Sequence, residues 1–112
     1  MNNLKNSVRL IGHVGMNPEV KVVNGNRKLA KFSVATSDNY KNSKGEWETQ
    51  TQWHNLVAWG NAATKAEKLI SKGAEVVIEG KLMHRNYEDT QGVKRYITEI
   101  QVSDLLVVKA KN

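Results

Sequence analysis

Alternation with a period of two runs through most of this chain and is interrupted once, by a stretch whose period is helical. From Ser7 to Gly15, Val8, Leu10, Gly12 and Val14 fall on one face, and Ser7, Arg9, Ile11 and His13 on the other. Half-buried strands read this way because successive side chains point to opposite faces. Glu19 to Val23 reads as a short strand after Pro18, and Asn24-Gly25-Asn26 as a hairpin turn. Arg27 to Thr36 alternates again, with Ala30, Phe32 and Val34 facing in and Leu29, Lys31, Ser33 and Ala35 facing out. Ser37 to Glu46 is polar and reads as a long, mobile hairpin loop, followed by a strand from Thr49 to Gly60. Then the period changes: Ala62, Ala66, Leu69 and Ile70 recur on one face of a helix. Asn61 is placed as its cap, Lys68 and Lys72 suit its last turn, and Gly73 is its stop. Alternation resumes with Val76, Ile78, Gly80 and Leu82 against Glu75, Val77, Glu79, Lys81 and Met83. A second hairpin loop falls around Glu88 to Gly92. Tyr96, Thr98, Ile100 and Val102 line the last strand, which the apolar run Leu105 to Val108 extends.

The order is three strands, one short helix, then two strands. It predicts an all-β chain, a five-stranded Greek-key barrel of the oligonucleotide/oligosaccharide-binding (OB) plan with one helix between strands 3 and 4 and long hairpin loops. Gly12 and Gly80, isolated inside strands, mark tight bends or bulges at barrel corners. A length of 112 residues suits one domain over residues 1–112, with no linker or repeat.

Composition narrows the function. The net charge is +6, from 17 basic and 11 acidic residues with no tract of like charge, which favours polyanionic partners on a folded surface. There is no cysteine, in keeping with a reducing cytoplasm, and neither an apolar leader nor a membrane-length run. Enzyme chemistry finds no foothold. His13, His54 and His84 lie on three strands without metal-ligand spacing, and Glu88-Asp89 sits in a hairpin loop. No phosphate-cradling or nucleophile motif occurs, so no catalysis, cofactor or metal is expected. Thr49 to Gly60 instead puts Trp53 and Trp59 on one polar strand face with Thr51, Asn55 and Val57, roughly 20 Å apart. In a basic chain, that pattern is a stacking platform for unpaired bases. The competing reading buries the indoles in the core or a subunit contact.

Several ordered stretches resemble the bacterial single-stranded DNA-binding proteins. They are Val8-Arg9-Leu10-Ile11-Gly12-His13-Val14-Gly15-Met16-Asn17-Pro18-Glu19-Val20, Phe32-Ser33-Val34-Ala35-Thr36-Ser37 and Thr51-Gln52-Trp53-His54. Lys72-Gly73-Ala74-Glu75-Val76-Val77-Ile78-Glu79-Gly80-Lys81-Leu82 and Arg95-Tyr96-Ile97-Thr98-Glu99 add to them. The resemblance implies an OB barrel that assembles as a homotetramer, at least a dimer. Such a protein coats single-stranded DNA without sequence preference during replication, recombination and repair, in the bacterial cytoplasm at the nucleoid. It implies base stacking at Tyr40, Trp53, Trp59 and Tyr87, and a subunit-contact position for His54, which points away from the indoles.

The chain departs from the family at particular places. Tyr40 and Tyr87 stand where tryptophan is common, and Trp59 where phenylalanine is frequent; all remain aromatic. Asn55, Asn61 and Ser7 occupy places that often carry a cation, which implies a shallower salt dependence. Trp47 has no regular counterpart: it either extends the platform or packs against its own hairpin. Arg9, Lys31, Lys72 and Arg85 are the expected phosphate contacts, against the alternative of solvated surface charge. The basic end at Val108-Lys109-Ala110-Lys111-Asn112 carries no acidic tip, so tail-mediated recruitment of repair enzymes is expected to be absent. A cold-shock type RNA-binding module would be shorter, with an aromatic cluster on strands 2 and 3. A primosomal relative would lack most of the aromatics, and an oligosaccharide binder would not need the charge.

Overall fold

Two glycines allow this sheet to close. The computed structural model describes residues 5–110; expectations placed on residues 1–4 and 111–112 lie outside them. The strands are β1 (Val8–Val14), β2 (Glu19–Val23), β3 (Arg27–Lys41), β4 (Trp47–Trp59), β5 (Glu75–Glu88) and β6 (Lys94–Lys109). One helix, α1 (Asn61–Leu69), joins β4 to β5, and a single 3-10 turn, Asn24–Asn26, joins β2 to β3. β1 pairs with β5 from Val8↔Gly80 to His13↔Glu75, then bends onto β3 at His13↔Ala35 and Val14↔Val34. A parallel contact of β4 with β6, Leu56↔Ile100 and Val57↔Gln101, completes the circuit β1-β5-β6-β4-β3. That is the expected five-stranded barrel.

At the bends, a Cβ on Gly12 would collide with the carbonyl oxygen of Ala35, and one on Gly80 with that of Gln101. Beside Gly80 the β5–β6 register slips between Glu79↔Asp104 and Gly80↔Val102, leaving Ser103 as a bulge residue. The bulge resets the alternation, so Ile100, Val102 and Leu105 all turn inward. They join Phe32, Val34, Leu56, Val76 and Ile78 in one apolar core, with no buried polar side chain among the described residues. α1 plugs one end with Ala63 and Ala66, and Ile70 just beyond it. Lys28–Glu67 and Lys65–Asp104, both 2.8 Å, pin the helix to β3 and β6 at the surface.

Four details differ from expectation. The short strand expected at Glu19–Val23 forms, laid on β3 from Glu19↔Lys31 to Val23↔Arg27, so that four strands rather than three precede the helix. The polar stretch after Thr36 is not a long loop. β3 continues to Lys41 and β4 begins at Trp47, because cross-strand bonds such as Thr49 Oγ1 to Asn39 Oδ1 (2.8 Å) replace the missing apolar face. In α1 the buried stripe is Ala63, Ala66 and Ile70, which leaves Leu69 exposed. Gly60, at φ +59°, occupies the cap position without a side-chain bond, Asn61 is already helical, and Lys72 lies past the helix end. Finally, outward-pointing Leu29 and Val57 are only 8% and 9% exposed, while inward-pointing Leu82 is 38% exposed. Past Leu82, whose partner Ile100 still closes the barrel against β4, β5 and β6 run on as a projecting arm.

Replacing Gly80 by alanine should therefore cost stability on the scale of overpacking, roughly 1–3 kcal/mol, because the obstacle is backbone and cannot swing away. Urea denaturation should show a lowered midpoint with an unchanged slope; a variant as stable as the parent would refute the close approach.

Candidate nucleic-acid interface

Small and extended partners opposite the tryptophans keep the outer face of β4 open. The β3–β4 ladder pairs Leu29 with Trp59, Ala35 with Trp53 and Lys41 with Trp47, so all three indoles share the outward face. Trp53 lies over Gly15, where a Cβ would collide with its ring, and is still 62% exposed. Trp59 is half-buried, with the Arg27 guanidinium 4.4 Å from its ring centroid, a cation–π contact.

Trp59 is the shared wall of two hollows. One, about 400 Å³, has an apolar floor of Leu29, Val57 and Met83 and a polar rim that includes Lys31, His84, Arg85 and Glu99. The other, about 530 Å³, lies among Asn26, Arg27, Lys28 and the start of α1. An indole between two cationic depressions can offer a flat apolar surface to a planar ring while cations stand on both sides for its linking anions.

The rim charges are partly committed. Arg85 donates two hydrogen bonds to Glu99, at 2.9 and 3.2 Å. The Arg85 hydrogen bond, aided by the charges of Arg85 and Lys31, outweighs burial and holds the Glu99 carboxyl below its ordinary range. Lys31 and Arg85 thus line the same hollow as Trp59, a grouping that strand periodicity does not show. Lys72 belongs to the Trp53 end: its N–H donates to Asn17 Oδ1 (2.8 Å) and the Gly73 N–H to the Val14 carbonyl (2.8 Å), which seats this segment beside Gly15. Arg9 is elsewhere, paired with Glu79 at 3.0 Å in a hollow with Ile11, Val77 and Leu106.

The two tyrosines fall on different faces. Tyr87, half-exposed, follows Met83 and Arg85 along the outward face of β5. Tyr40 takes the opposite face of the β3–β4 arm, where its hydroxyl donates to Glu48 Oε2 at 2.7 Å. That bond raises the tyrosine pKa and is the first cause of the lowered Glu48 pKa. His54 also turns away from the indoles, half-buried, with Nε2 at 2.9 Å from Thr36 Oγ1. Arg27 and Met83 went unmarked in the sequence. The hairpin register would have found Arg27, since it sits two residues before Leu29, the partner of Trp59. Among the described residues, no group of three or more His, Asp or Glu side chains could hold a metal, and no helix is long and apolar enough to cross a membrane.

Comparison with known proteins agrees with this geometry. Residues 5–108 match the model of the Single-strand binding protein family. The chain is 39% identical over 108 residues to single-stranded DNA-binding protein 1 of Chlorobaculum tepidum, covering 96% of this chain and 67% of that one. The solved complex of Plasmodium falciparum SSB with ssDNA superposes with a TM-score of 0.87 at 33% identity, over 97% of this chain and all of the other. A deletion mutant of the single-stranded DNA binding protein from Thermus aquaticus shares the fold at 22% identity and a TM-score of 0.82, this chain spanning about half (51%) of it.

Because the folded-state pKa of Glu99 is depressed, its pair with Arg85 stabilises the fold above the ordinary carboxylate value of 4.5 and ceases to do so as pH falls through the depressed value. Glu99→Gln should lower the denaturation midpoint at pH 7, and the gap to the parent should close in acid. A gap that persisted unchanged at acid pH would show that the ion pair is not its source.

Proposed function

We propose that this chain, which belongs to the single-strand binding protein family, binds single-stranded DNA without sequence preference and protects it during replication, recombination and repair. The observation that carries the reading is the outward placement of Trp53 and Trp59 on one strand, neither in the core and Trp59 under the Arg27 guanidinium. Unpaired bases expose π-faces that a duplex keeps stacked, so an indole platform selects single strands. Every base has such a face, so it does not select sequence. Trp53 and Trp59 are the central stacking positions, with Tyr87 reached along the β5–β6 arm and Tyr40 where the strand crosses to the other face of the β3–β4 arm.

Lys31, Arg27 and Lys72 neutralise phosphates between stacked bases. Arg85 contributes only by exchanging Glu99 for a phosphate, and Arg9 joins only where the strand wraps past β1. With Asn55, Asn61 and Ser7 uncharged, the fall of affinity with salt is shallow for the family, since each missing phosphate contact on a single strand reduces the slope by about 0.7. The protein acts without catalysis, in the bacterial cytoplasm, as a homotetramer or at least a dimer. Exposed Ile11 and Leu106 beside Val77 on the barrel's far side are suited to self-contact, and the family resemblance assigns His54 to a subunit boundary.

Tryptophan fluorescence should be strongly quenched by oligo-dT, weakly by duplex, and the quenching should partly survive high salt. Trp53→Ala and Trp59→Ala should each weaken oligo-dT binding by roughly 1–3 kcal/mol, a general figure for base–aromatic stacking in proteins of this kind rather than one specific to this chain. Equal quenching by duplex that vanished with salt would leave charge alone as the binding force and overturn the stacking platform.

A further inference from the structure

The projecting β3–β4 arm ends in an indole that the barrel does not use. Trp47 opens β4, is 70% exposed and faces outward in the same ladder as Trp53 and Trp59, with Lys41 directly opposite. At that exposure most of the ring surface is free of its own hairpin. Exposing a tryptophan this far costs apolar burial unless something covers it. The Lys41 ammonium stands 5.7 Å from its ring centroid, so the position pairs an aromatic face with a cation, as Arg27 and Trp59 do farther down the strand.

The arm beneath Trp47 is built to hold still. The Asn42 N–H donates to the Glu46 carbonyl (2.9 Å), and Asn42 Oδ1 accepts from the N–H groups of Lys44 and Glu46 (2.9 and 3.0 Å). Gly45, at φ +79°, supplies the left-handed step of the turn. Glu48 then ties both strands, accepting from Asn42 Nδ2 (3.0 Å) and the Tyr40 hydroxyl (2.7 Å). A ligand on this arm would find a ring already positioned and would lose little to ordering it.

We propose that Trp47, with Lys41, is an additional nucleotide-stacking position that lengthens the single-strand track beyond Trp53. This rests on the reading of Trp53 and Trp59 as stacking residues. Six residues separate each tryptophan from the next, so the track spans roughly 40 Å from Trp59 to Trp47. Lys41 supplies the phosphate contact at its outer end. The occupant is the strand itself rather than a second protein copy, because the ring continues the same face and carries the same aromatic–cation pairing. Its signature is length: only an oligonucleotide long enough to pass Trp53 engages it.

The test titrates an oligo-dT length series against two variants. In the variant Trp53→Phe with Trp59→Phe, Trp47 is the sole indole; long oligo-dT should quench it and short oligomers should not. In Trp47→Ala, affinity for long oligo-dT should fall roughly 5- to 150-fold, the equivalent of one lost base stack, and the loss should shrink as the oligomer shortens. An indole at Trp47 that stays bright under saturating long oligo-dT, while the parent protein is quenched, overturns this inference and leaves the Trp53–Trp59 reading standing. A parent protein that is not quenched overturns both. A change in native mass for Trp47→Ala with no loss of oligo-dT affinity would assign the ring to a second copy and overturn it too.

Discussion

The pairing register of β3 with β4 is the constraint on which the rest depends. Thirteen residue pairs, from Leu29↔Trp59 to Lys41↔Trp47, hold it. A slip of one residue would turn one strand over relative to the other, sending either Phe32 and Val34 out of the core, or Leu56 and Ala58 out and the tryptophans inward. The apolar half of the ladder makes that slip costly, since all four of those side chains are almost fully buried. The polar half has no such insurance and relies on side-chain hydrogen bonds between the strands. One ladder therefore serves two ends: burial at the barrel fixes the register, and the arm carries it outward to where the exposed rings stand.

Charge is arranged with the same economy. The basic excess is partly absorbed by carboxylates, with Arg85 on Glu99, Arg9 on Glu79 and Arg95 on Asp89. The most exposed of them, Arg9 on Glu79, adds little stability. Their larger consequence is competition, because a phosphate must displace the carboxylate before it can use the cation. Arg27 and Lys41 are held instead over indole rings, which leaves their donors open to an anion while fixing their position.

Much of the architecture was legible in the order of periods. The alternating stretches became strands, the one helical stretch became α1, and Gly12 and Gly80 became the corners. What failed did so for stated reasons. Ser37 to Lys41 offers no apolar alternation because both faces of the arm meet solvent, so a strand looked like a loop. Leu69 fell on a plausible helical face, but α1 contacts the barrel along the narrower line of Ala63, Ala66 and Ile70. The alternation of β6 could not reveal Ser103 as a bulge, since the slip exists only relative to β5.

The same division holds for the site. The sequence by itself determined that Trp53 and Trp59 share a strand face, that His54 opposes them, and that the chain carries excess positive charge, because periodicity and charge are local properties. Only the tertiary structure decided which cations stand beside which ring. Lys31, Arg27 and Arg85 gather at Trp59 and Lys72 lies toward Trp53, while Arg9 is carried to the far side of the barrel. Those neighbours come from strands distant in the chain, and closure of the barrel, which no single strand encodes, is what brings them together.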